Sequence, residues 1–296
     1  MQQPERATEF DDLWIRYQPH FQKIEDKPGF NLEASSLFVL STDRTTLTIW
    51  LLGYAMWKEM YCWSSNVFFH PMTSSPFVPA HFEHMPGQQE AYAEADTLHA
   101  AAMVFMENQT LDMHLWPHGI PKPREILAAS KEEQLVNDLV HHTVAFFYLH
   151  ELRHLILANS GENALTPLDE EFECDRWASE FLVGKSEFFD GQSGVDLGLV
   201  KTKRAMGLAL GAAVMAHVQQ CGLWEATKSH PAVADRFLRL SKGLQLGIED
   251  HFWIVACTFA LASLRRKKAM PEQVIYEDLR DLFNKLLAAA PAGTEG

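Results

Sequence analysis

Apolar residues recur at helical spacing through most of the chain, and only short runs suit strands. Helices are predicted over about 44–61, 88–107, 131–159, 171–183, 199–219, 250–265 and 271–289. The helix at 88–107 carries Leu98, Ala102 and Phe105 on one stripe, and Ser41-Thr42-Asp43 supplies cap-type residues before the helix at 44. Leu37 to Leu40 and Asn66 to Phe69 read as short strands, and residues 1–34 as a short helix or irregular arm. The proline- and histidine-bearing segment 70–87 reads as a loop, and Leu111 to Arg124 as a connection or edge strand. A further loop, Ser229-His230-Pro231, enters a helix that runs to about 241. The fold class that follows is mainly α, an α+β chain with at most a small sheet. Residues 1–290 are expected to form one domain, with 291–296 a disordered tail.

The predicted helix 131–159 contains His150-Glu151-Leu152-Arg153-His154 in an apolar run free of Gly and Pro. Positions i and i+4 share a helix face, so both imidazoles can reach one ion. Glu151 lies beside the first of them, where a carboxylate can take a proton from a metal-activated water. Catalytic zinc takes three protein ligands and keeps an open position, so a third ligand is needed. Glu171 is the candidate, with Asp175 one turn on, placed to accept the distal N–H of a liganding histidine. Glu173 and Cys174 are competitors for the ligand role. His230 is either an oxyanion-stabilising imidazole or a loop histidine bonded to backbone, and Arg236 is expected to brace acidic groups near the site. Met113 to Trp116 is the candidate strand for receiving a peptide substrate by backbone pairing.

His150-Glu151-x-x-His154, then Glu171-x-x-x-Asp175, then His230-Pro231-x-x-x-x-Arg236 is an ordered set that resembles the gluzincins of the HtpX-type peptidase group. The wording Glu171-Phe172-x-Cys174-Asp175-x-Trp177-Ala178 and the overall length look most like the Lit-type phage-exclusion peptidases. The motifs cover about residues 135–240. The resemblance implies a zincin-like core with the His-Glu-x-x-His helix at its centre. It implies that His150, His154 and Glu171 bind Zn2+, that Glu151 is the general base, that Asp175 supports a ligand, and that His230 and Arg236 line or brace the site. It further implies a latent zinc metalloendopeptidase of abortive infection, triggered by a phage-derived activator to cleave host elongation factor Tu. Two alternatives stand beside that reading: an HtpX-like quality-control metallopeptidase, and a non-catalytic zinc-stabilised binding module.

Composition narrows the partners. A formal net charge of −14 argues against a nucleic-acid surface, since phosphates are repelled without a local basic patch. Cys62, Cys174, Cys221 and Cys257 lie far apart with no C-x-x-C, which suits reduced thiols and a cytoplasmic location. Residues 47–62 and 205–218 are the stretches where membrane contact would lie. Each falls short of the ~20 residues a span needs, and core helices are expected there.

Overall fold

The computed structural model describes residues 14–70, 76–83, 85–123, 130–160, 166–183, 197–218, 224–248 and 250–289. The tail at 291–296 and Cys221 lie outside them. Strands β1 (Phe21–Lys23), β2 (Leu32–Ala34) and β3 (Val39–Ser41) form a sheet in the order β1-β3-β2. β1 runs parallel to β3 and β2 antiparallel to it, with Leu32 opposite Ser41 and Ala34 opposite Val39. Two of the three strands thus come from the arm that the sequence left as helical or irregular. Three-residue strands are too short to show a period.

Helix α1 (Asp43–Phe69) is capped by Thr42, whose side chain accepts from the Thr45 amide. Its last turn takes in Asn66 to Phe69, expected as a strand. Met60, Trp63 and Val67 are buried at helical spacing, so the core stripe simply continues through that aromatic stretch. Arg44 is fully buried near the start of α1 and holds Asp26 at 2.6 Å and the Phe105 and Asn108 carbonyls at 2.8 and 2.6 Å. One guanidinium therefore fastens the arm and the end of a later helix to α1.

A five-residue helix, α2 (Pro79–Glu83), interrupts the expected loop, and α3 (Gln88–Glu107) follows with Tyr92, Ala95, Leu98, Ala102 and Phe105 buried. Met113–Leu115 is a single 3-10 turn and not an edge strand. Helix α4 (Lys131–Ser160) packs against α1, β2, α5 (Pro167–Val183) and α6 (Leu197–Val218). The seam with α6 is close because Gly207 and Gly211 lack side chains. A Cβ there would sit 2.6 Å from His142 Cβ and 2.7 Å from Phe146 Cδ1. Burial pushes the pKa of His142 down to about 4, so it lies in this seam as a neutral ring.

Helices α7 (Val233–Gly243), α8 (Phe252–Arg266) and α9 (Leu279–Ala288) close the far side, with Phe237 meeting Phe252 and Phe283 edge-on at 5.8 and 5.6 Å. The last helix starts at Leu279 under an Asp278 cap rather than at Pro271, because Val274 pairs by backbone with Phe77. Among the described residues no helix is long and apolar enough to cross a membrane. Ala205 to Met215 of α6 lie in the core, apart from a half-buried Met206.

Candidate metal centre

Thr166 opens α5, its hydroxyl accepting from the Asp169 amide, and Pro167 occupies the first turn, where no amide is needed. That start aims the first two turns of α5 at the His150–His154 face of α4. The two Nε2 atoms lie 3.2 Å apart. Glu171 stands over both, Oε2 at 3.5 Å from His150 Nε2 and Oε1 at 3.3 Å from His154 Nε2. A tetrahedral zinc ion with bonds of about 2.1 Å separates its ligand atoms by roughly 3.4 Å, so these three spacings suit it. His150, His154 and Glu171 form a group able to hold a metal ion.

The far ring nitrogens explain the orientation. His150 Nδ1 donates to Asp175 at 2.9 Å and His154 Nδ1 donates to Glu170 at 2.7 Å. With both Nδ1 atoms protonated, both Nε2 lone pairs face one point, an arrangement that repels unless a cation or proton lies between them. Burial works against protonating His150, but Asp175 and Glu171 outweigh it and raise its pKa to about 10. Burial likewise works against ionising Glu171, yet hydrogen bonds from His150, His154 and His230 hold its carboxyl far below the ordinary range. The pocket is built to keep positive charge next to a carboxylate.

Arg236, fully buried on α7, donates to both oxygens of Asp175 at 2.6 Å and to Glu171 Oε2 at 2.7 Å. It pins the two α5 carboxylates as a pair. His230 lies on the rim, with Nδ1 3.4 Å from Glu171 Oε2 and its side chain 30% exposed. Glu151 is half-buried; burial raises its pKa, opposed by His150, His154 and the nearby Ala34 amide of β2.

The competitors point elsewhere. Glu173 pairs with Arg153 and Arg176, each at 2.7 Å. Cys174 is fully buried, and burial together with the neighbouring carboxylates pushes its thiol far up, away from the thiolate that binds metal. Sequence reasoning missed Glu170. The expected helix began at 171, whereas the real one begins at Pro167 and puts Glu170 opposite His154. It also missed β2 as the strand beside Glu151. Met113 to Trp116, the strand first expected to receive substrate, lies in a 3-10 turn instead.

The cell death peptidase of Escherichia coli (strain K12) is 22% identical over 269 residues, covering 89% of this chain and 84% of the relative. No solved structure matches the chain significantly. The family model Peptidase U49 matches residues 39–256. A match of that length, running from β3 into α8 and taking in every site residue from His150 to Arg236, makes this chain a member of the Peptidase U49 family and a peptidase.

Proposed function

We propose that the protein is a zinc-dependent endopeptidase with His150, His154 and Glu171 as ligands and Glu151 as general base. The observation that carries this reading is the convergence of two Nε2 atoms and a carboxylate at tetrahedral spacing beside a half-buried glutamate, Glu151. Zinc bound there supplies Lewis acidity toward a peptide carbonyl and makes a neighbouring water more acidic. Glu151 takes the proton of that water and delivers it to the departing amine. The nearby Ala34 amide favours the ionised form of the Glu151 carboxylate. His230, half-buried on the rim, offers an imidazole N–H to the developing oxyanion. Asp175 and Glu170 keep the ligand rings oriented, and Arg236 holds the Asp175 and Glu171 carboxylates in position. Among the described residues β2 pairs with β3 on one side only, so its other edge, near Glu151, receives the substrate backbone.

The biological reading rests on the resemblance to Lit-type peptidases and on a relative named for cell death. It is a cytoplasmic peptidase held latent, released by a phage product, and directed at host elongation factor Tu. A purely structural zinc site has no use for a carboxylate at position 151 beside the ligands, which speaks against the binding-module reading. Glu151→Gln tests the chemistry. The variant is expected to bind zinc as the parent does and to cleave elongation factor Tu at least 1000-fold more slowly in phage lysate. Undiminished cleavage by the zinc-loaded variant removes Glu151 as the base.

A further inference from the structure

A cavity of about 540 Å³ opens where α1, α3 and the first turn of α4 meet. Glu132 and Glu133 lie seventeen or more residues before His150, about 25 Å along the helix axis, so this cavity is separate from the metal centre. One wall is aromatic: Tyr54, Trp57 and Tyr61 of α1, with the Trp57 and Tyr61 rings 6.4 Å apart. The other wall is acidic: Glu94 of α3 with Glu132 and Glu133 of α4, where Glu133 Oε2 accepts from the Ser130 amide and hydroxyl at 2.8 and 3.0 Å and keeps its other oxygen for a ligand. Among the described lining residues Lys58 is the one cation, so three carboxylates against one ammonium leave a charge of −2 there. Its 2.9 Å pair with Glu94 is solvent-exposed and therefore easily exchanged for another cation. The two α4 carboxylates more than offset the partial positive charge of the helix start. The Tyr54 hydroxyl, in the same wall, is enclosed and has no hydrogen-bond partner.

Aromatic rings and carboxylates lining one cavity are complementary to a planar, weakly hydrated cation: the rings take its face and the carboxylates its N–H fork. Anions are repelled by the same lining, and a neutral apolar group leaves the carboxylates unused. A second cavity of about 450 Å³ adjoins the first, sharing Glu94, Leu98, Gly119 and Ile120 as lining. Its walls add the apolar Ala101, Leu115 and Pro117 together with Thr97 and His118. The joined groove holds more than one side chain. We propose that it binds an arginine side chain of a protein partner in the acidic, aromatic lobe, with an apolar neighbour of that arginine in the second lobe.

The test uses the full chain carrying 5-fluorotryptophan, with the Glu151→Gln exchange so that added peptide persists. The Trp57 resonance is assigned by its loss in Trp57→Phe. The probe is a blocked pentapeptide with a central arginine flanked by leucines. It is expected to shift the Trp57 signal saturably, while its citrulline counterpart, equal in shape and neutral, binds at least tenfold more weakly. Glu94→Gln with Glu132→Gln, both exposed changes, is expected to weaken the arginine peptide at least tenfold. Agmatine, a free guanidinium, is expected to bind at least tenfold more weakly than the peptide; equal affinity overturns the protein partner. A Trp57 signal unmoved by the peptide, or moved equally by the citrulline form, overturns the site itself.

Discussion

Glu170 shows how the arrangement of one residue decides what a motif can do. Its carboxylate, 2.7 Å from His154 Nδ1, sets the tautomer that leaves Nε2 free. Glu170→Ala is expected to lower zinc affinity about 10- to 100-fold, read by competition against a chelating dye, with Glu170→Gln recovering part of the loss. Recovery fits an acceptor that orients a ring; equal affinity in all three proteins contradicts the role. The juxtaposition of His150 and His154 was legible in the sequence, because one-turn spacing needs only a helix to become proximity, whereas Glu171 reaches them from the next helix. Glu170 was not legible. An acidic residue next to another acidic residue at a helix start reads as dipole compensation, and only the true start at Pro167 gives it a direction.

At the level of elements, the seam between α4 and α6 is the contact with least tolerance. Gly207→Ala places a methyl 2.6 Å from His142 Cβ, on a rigid part of that side chain, so the helices must part. The expected cost is about 1–3 kcal/mol in urea unfolding, and a variant as stable as the parent means the seam yields without strain. Long helices were readable because a stripe such as Tyr92, Ala95, Leu98, Ala102 and Phe105 repeats often enough to establish its period. Ends were less so. Pro271 and Glu272 look like a helix start, yet the backbone pairing of Val274 with Phe77 holds that stretch extended until Asp278. The strands at Phe21–Lys23 and Leu32–Ala34 are defined by their neighbours in the sheet, which no local pattern discloses.

Across the whole molecule, the centre draws on distant parts of the chain: Ala34 from the sheet, His150 to His154 from α4, Glu170 to Asp175 from α5 and Arg236 from α7. An ion held by the folded form alone shifts the unfolding equilibrium. At 1000-fold excess over its dissociation constant the gain is about 4 kcal/mol. Stripping zinc with a chelator is therefore expected to lower Tm by on the order of 5–10 °C, and restoring zinc to reverse the change; calorimetry with and without chelator reads both. A Tm indifferent to chelator contradicts the centre. The Arg236 clamp also has a consequence for how the enzyme is made. A chain leaving the ribosome already carries the histidine pair and the α5 acids tens of residues before residue 236 has been translated. Until then Asp175 and Glu171 lack their Arg236 partner, so the paired arrangement of the folded centre is completed only after residue 236 has left the ribosome.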